Sequence, residues 1–278
     1  MKKNRKKKVE NVVFFLITCL VAFLFLLPIL WMLSGSLKDN NTIFEFPPKL
    51  IPTHPIWHNY IDAVTYIPFF KYFKNTFVIS AVSTIGVVLS TPSIAYAFAK
   101  MEWKGKNFVF VLVLSTLMLP FQVQMIPLYT LFKKAGWLGT GLPLIIPNFF
   151  GNAMYIFLLR QFMIGLPKEM SESAFIDGAS HFTILTRIVV PLCKPALFSI
   201  GLFTFLGNWT DFLGPLVYLT KQDSFTLSLG LQQYSSLHST EWPYLLCACT
   251  LFTIPILILF FFMQKTFIEG ITFTGIKG

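Results

Sequence analysis

The sequence predicts an all-α polytopic membrane protein with six transmembrane helices, and three observations carry that expectation. The chain of 278 residues is 55% hydrophobic and only 12% charged, whereas soluble domains carry about 25% charged residues. Mean hydropathy is +0.67. The apolar runs approach or exceed the roughly 20 residues a helix needs to cross a bilayer, and they lack the alternation that barrel strands of about 10 residues would show.

The first run, Asn11–Leu37, follows the basic opening "MKKNRKKK". It is much longer than the apolar core of roughly 7–15 residues in a cleavable secretory signal, and no small-residue cleavage site follows it. It therefore reads as an uncleaved first helix. Asn75–Ala99 is the second span, Asn107–Phe132 the third and Ala135–Leu159 the fourth. The stretch "KKAGWLGTGLP" at Lys133–Pro143 separates the third from the fourth with two lysines and three glycines. Pro195–Thr210 is the fifth span; it meets Asp211 but stays apolar to about Leu219. Trp242–Gln264 is the sixth. Prolines at 28, 92, 120, 127, 147, 215 and 255 lie in or beside the spans. They read as shape, since neighbours in a bundle satisfy the carbonyls they free.

Orientation follows from lysine and arginine. With the N-terminus inside, segments 1–11, 100–107, 160–195 and 265–278 hold fifteen of them, and the outer segments 38–74, 133–134 and 221 hold seven. Both termini are thus expected inside. The organisation is a basic N-terminus, first helix and outer segment (1–70), a transmembrane core (71–264) with a loop at about 161–195, and a C-terminal tail (265–278). The net charge of +10 suits anionic inner-leaflet lipids better than nucleic acid, because most of the excess lies on the inner side.

The sequence argues against catalysis. It contains no GxxxxGK[ST] phosphate loop and no HExxH, CxxC or GxSxG. His54 and His58 are four apart, but Pro55 intervenes and the region is proline-rich, so solvated imidazoles are expected and no metal site. Cys19, Cys193, Cys247 and Cys249 lie in or beside the spans and read as buried free thiols. Asp211 is the single carboxylate at membrane depth, and one carboxylate without a partner makes a poor acid–base pair. With Asn208 and Trp209 it lines a solvated path, or else the helix ends at Asn208 and Asp211 already sits in the headgroups; Asn148 and Asn152 pose the same choice.

A long water-facing stretch, "EMSESAFIDGASHFTILTRIVVPLCKP", runs from Glu169 to Pro195. Pro167 suits a first helical position, and Lys168–Asp177 forms about three turns. Gly178 supplies the left-handed residue that closes a helix. Ser180 is a suitable N-cap for a second helix through Phe182, Leu185 and Ile188 towards Pro191. This elbow is either a docking element for another protein or an ordinary interfacial loop.

Its residues carry a resemblance. Glu172-Ser173-Ala174, three residues, Gly178, nine residues, then Ile188-Val189-Val190-Pro191 resembles the EAA loop of binding-protein-dependent ABC importer permeases, with Ser173 and Val190 as mild departures. "IDGAS" (176–180), "PLCKPAL" (191–197), "NWTDFLGPL" (208–216), "TLSLGL" (226–231) and "GIKG" (275–278) are similar to the carbohydrate-type permeases, above all the smaller subunit of maltose, oligosaccharide and glycerol-3-phosphate transporters. Thr210 and "ITFTG" (271–275) depart from the family pattern.

The resemblance implies a type I ABC importer permease fold with a cytoplasmic coupling elbow, in a multi-pass protein of the bacterial plasma membrane. The implied function is that of a non-catalytic sugar permease subunit, importing an oligo- or disaccharide or, alternatively, a polyol phosphate. The implied partners are a second homologous permease, two cytoplasmic ABC ATPases and an extracytoplasmic sugar-binding protein. ATP-Mg belongs to the ATPases; this chain binds no cofactor or metal directly. Glu172, Ser173, Ala174, Asp177, Gly178, Ile188 and Pro191 become the ATPase-coupling residues, and Gly275, Lys277 and Gly278 a tail contact between ATPases. Asn148, Asn152, Asn208, Trp209 and Asp211 are the candidate translocation path. A secondary transporter without an ATPase is the other class; the lack of a detectable internal repeat and of paired intramembrane charges argues against it.

Overall fold

A computed structural model describes residues 2–235 and 240–275, with side chains at residue 7 and at residues 10–235 and 240–264. Helices dominate it: α1 (Lys2–Ser36), α2 (Asn59–Tyr66), α3 (Phe69–Ala99), α4 (Lys106–Ser115), α5 (Phe121–Lys134), α6 (Leu142–Ile145), α7 (Ala153–Ile164), α8 (Glu169–Ile176), α9 (His181–Ile184), α10 (Val190–Leu192), α11 (Lys194–Thr210), α12 (Leu213–Tyr218), α13 (Leu227–Gly230) and α14 (Trp242–Gly275). Ser235 and Thr240 form an isolated antiparallel bridge.

Four helical stretches are long and apolar enough to cross a membrane: Glu10–Ser36, Phe69–Ala99, Leu142–Ile164 and Trp242–Gln264. Two bent pairs, Lys106–Met118 with Phe121–Lys134 at 101° and His181–Leu192 with Lys194–Thr210 at 79°, make six if each pair is one span. The third expected run is therefore not straight. Leu119 is extended and precedes Pro120, because the proline ring pushes its predecessor out of the helical region. The fourth begins at Leu142, later than the expected Ala135, since turns at Gly136 (φ 70°) and Gly139 (φ 78°) occupy the intervening residues.

The chain divides into two compact units. One comprises Met1–Phe69 and Leu231–Pro255, the other Phe70–Gly230 and Ile256–Gly278. In the first, the buried Asn59 closes the end of α1 by donating from Nδ2 to the carbonyls of Ser36 (2.9 Å) and Lys38 (2.8 Å). Cys247 Sγ donates to the same Ser36 carbonyl at 3.3 Å. Tyr234 donates its hydroxyl to Ala63 O at 2.8 Å and stacks on Tyr66. Cys19, expected buried, is exposed, because the apolar residues around it on α1 have no protein cover.

The second unit is organised around α3. Its Ser83 hydroxyl donates to Leu144 O (3.1 Å) and its Ser90 hydroxyl to Asn148 O (3.3 Å). These carbonyls lie where regular helix gives way to a 3-10 turn, Ile146–Phe150. In lipid such groups have no water to bond, so a neighbour's hydroxyls must serve them. Gly86 of α3 lets the Phe149 ring rest on its backbone; an added Cβ would lie 2.7 Å from Phe149 Cδ2. Gly151 then turns the chain at φ 92°, ψ 149°, a region open essentially to glycine alone.

Gly151→Ala should destabilise the protein by at least about 1–3 kcal/mol from backbone strain, with an added clash against Ile94 and Ile156. Gly207→Ala, inside α11 with open space around it, should be neutral or stabilising. Thermal unfolding of the two variants in detergent checks the opposite signs.

Candidate functional site

The stretch from Glu169 to Leu192 folds as a helix–turn–helix elbow. α8 is closed by a Schellman arrangement: Gly178 N–H donates to Phe175 O (3.0 Å) and Ala179 N–H to Ala174 O (2.9 Å). That pair of bonds needs the left-handed conformation found at Gly178, φ 79°. A Cβ there would meet nothing within 4 Å, so torsion alone explains the glycine. Ser180 caps α9, its Oγ accepting from Thr183 N–H at 3.3 Å. A π-helical turn, Leu185–Val189, and α10 lead to the 79° bend before α11.

The elbow has a fixed side and an open side. Ile184, Leu185, Val189 and Cys193 are buried in a cluster with Tyr96 of α3 and Leu159 and Met163 of α7. Ala174, Ala179 and Ile188 pack against that cluster, half-buried. His181 sits between two rings, edge-on to Phe175 at 4.8 Å and to Tyr96 at 6.0 Å. The Tyr96 hydroxyl lies 3.2 Å from His181 Nδ1. Lys100, just past α3, donates Nζ to Leu166 O at 2.9 Å; burial, then the nearby Lys168 ammonium, lowers its pKa.

On the open side lie Glu172, Ser173, Asp177, Gly178 and Pro191, all exposed. Ile176 is 87% and Phe182 74% exposed. The carboxylate of Glu172 makes no hydrogen bond or ion pair among the described residues. An unpaired acid beside protruding apolar side chains can pair with a cation and fill an apolar recess on another surface. Of the seven coupling candidates, the structure thus turns five outward and packs two, Ala174 and Ile188, into the elbow's own core. Of the tail candidates, Gly275 is the last residue of α14; Lys277 and Gly278 lie outside the described residues.

The path candidates all have local roles. Asn152 Oδ1 caps α7, accepting from Met154 N–H (3.0 Å) and Tyr155 N–H (3.3 Å). Asn148 and Asn208 donate Nδ2 back to Leu144 O and Thr204 O, each at 2.8 Å. Trp209 is fully buried, stacked on Phe205 and edge-on to Phe73. Asp211 lies just past α11, whose last residue is Thr210, and its Oδ1 accepts from Gly214 N–H at 3.2 Å. Gly214 packs against the Leu144 side chain. The sequence reading missed the break at Gly151, although "GN" at 151–152 spells a turn glycine followed by an N-cap. It also missed the Tyr96–His181–Phe175 clamp, for which no local signal exists.

Residues 92–272 match the family described as the binding-protein-dependent transport system inner membrane component. The chain belongs to this family. An arabinooligosaccharides transport system permease protein of Halalkalibacterium halodurans is 32% identical over 98% of this chain and 100% of its own. A trehalose/maltose transport system permease protein of Thermococcus litoralis is 28% identical over 99% of each. A solved bacterial ABC transporter involved in the import of the acidic polysaccharide alginate matches with a TM-score of 0.79 at 22% identity, covering 94% of this chain and 97% of its own; that likeness is one of fold. This chain is thus a multi-pass membrane component of a transport system.

For this permease, Gly178→Ala should weaken the closure of α8 by about 1–2 kcal/mol and Ser180→Ala the start of α9 by about 1 kcal/mol. Amide exchange over residues 169–184 should accelerate roughly tenfold in each, with Gly178→Asn milder because asparagine tolerates the left-handed region.

Proposed function

We propose that this chain is one permease subunit of an ATP-driven importer of oligo- or disaccharides in the bacterial plasma membrane. It forms the translocation path with a second, similar permease. An extracytoplasmic sugar-binding protein delivers substrate, and two cytoplasmic ATPases carry the ATP-Mg. The chain itself is non-catalytic. The elbow observation supports this reading most: a helix–turn–helix clamped to the transmembrane core on one side and presenting an unpaired Glu172 with exposed Ile176 and Phe182 on the other. The sugar class rests on the arabinooligosaccharide and trehalose/maltose relatives.

The mechanism is rigid-body coupling. ATP closes the ATPase pair; the pair carries with it the elbow seated in its cleft. Because Ile184, Leu185 and Val189 are buried against α3 and α7, the elbow cannot move without those helices. Its displacement is therefore passed to the spans as a rocking between inward-facing and outward-facing states. Gly178 keeps the elbow's angle, and Glu172 anchors it to a basic residue of the ATPase.

In the assembled transporter, Glu172→Lys and Gly178→Pro should abolish stimulated ATPase activity and uptake while the chain still inserts in the membrane. Full stimulated activity in both variants would overturn the coupling role.

A further inference from the structure

A groove runs along the second unit between residues 84–89 of α3, residues 194–205 of α11, and Leu259 and Met263 of α14. Its volume is about 590 Å³. Gly201 forms the floor. Having no side chain, it brings α11 close to α3, and an added Cβ would stand 3.5 Å from Val88 Cγ2 and 3.6 Å from Thr84 Cγ2. The walls are aliphatic and aromatic, and the hydroxyl of Thr84 is spent on Ser80 O at 2.7 Å. Among the described residues, Lys194 is the one charged side chain of the lining. It is exposed and has no ion-pair or hydrogen-bond partner among them.

The two ends of the groove differ. Lys194 marks one end; it is the first residue of α11, directly after the 79° bend that joins the elbow to the fifth span. The lysine and arginine distribution assigns that end to the inner face. The other end is blunt, because Phe205 meets Phe77 of α3 edge-on, with ring centroids 6.4 Å apart, and stacks on Trp209. From Lys194 to Phe205 the helix rises about 16 Å, close to half of the roughly 30 Å hydrocarbon core. The groove is therefore one leaflet deep.

We infer that this groove seats one acyl chain of an anionic phospholipid from the inner leaflet, with the lipid phosphate on Lys194. Length and charge both select that occupant. A transmembrane helix needs a seat across the whole hydrocarbon core, and the Phe77–Phe205 pair stops this one halfway. A sugar or a free phosphate would gain nothing from apolar walls, whereas a hydrocarbon chain fills them. A lone ammonium at headgroup depth favours a lipid of net negative charge over a zwitterionic one, whose own cation offsets the phosphate. The headgroup then stands at the joint between the elbow and α11.

The test uses the full chain, purified with whatever subunits accompany it and placed in phosphatidylcholine nanodiscs. Phosphatidylglycerol carrying a diazirine at the end of one acyl chain serves as the photolabel. Label should map to Leu202 and Phe205, and unlabelled phosphatidylglycerol should displace it about fivefold more effectively than phosphatidylcholine. Lys194→Gln should remove that preference and Lys194→Arg should keep it. Ile85→Trp, which places a bulky ring at an exposed lining position, should reduce label at residues 202–205 several-fold without changing the thermal unfolding temperature. Val111→Trp on the exposed face of α4 should leave the label as it is. Equal displacement by the two lipids, or a preference retained in Lys194→Gln, overturns the inference. So does a groove that takes no label, the outcome expected if a helix of another subunit fills it.

Discussion

A helix that breaks inside a bilayer leaves carbonyls with no water to turn to, and the second unit is built around that cost. The fourth candidate span loses its regular ladder at Ile146–Phe150. Ser83 and Ser90 of α3 donate to the carbonyls of Leu144 and Asn148 beside the break, and Asn148 adds a donor of its own. Asn152 restarts the helix by accepting the first free amides of α7. Each unsatisfied group would otherwise cost several kcal/mol in hydrocarbon, so the break exists only because α3 lies alongside.

That makes α3 the spine of this unit. Its middle supports the broken span, and its far end, through Tyr96, reaches His181 of the elbow. A displacement of the elbow therefore bears on the same helix that supports the break. Coupling of this kind needs a rigid path with two discrete arrangements, and a buried cluster of Leu159, Met163, Ile184, Leu185, Val189 and Cys193 supplies the rigidity, since close-packed interiors transmit strain.

The spans and the elbow were legible from sequence because each has a local cause. Apolar length marks a span, and Gly178 and Ser180 mark the elbow's turn through one backbone torsion and one hydroxyl. The bends were less legible. Pro120 bends its span while Pro28, Pro92 and Pro255 stay inside continuous helices, and no local pattern separates the two cases. The roles of Ala174 and Ile188 were likewise hidden. Small and apolar residues suit an external contact and an internal one equally well, and only the fold shows them packed against the buried cluster.

The polar residues near the spans raise the question of what this chain alone can offer a sugar on the proposed reading. A saccharide needs several unused donors and acceptors converging in one place. Asn148 and Asn208 have each committed one amide proton to the carbonyl one turn back, and Asp211 caps the turn that follows it. Asn152 differs: its oxygen is engaged while its amide protons have no partner among the described residues, and it is exposed. One free amide group does not make a site; on the proposed reading it would be one wall of a site whose remaining groups stand on the second permease. A path built this way would bind sugar only when both subunits close on it, which would tie affinity to the conformational cycle in which the proposed coupling acts.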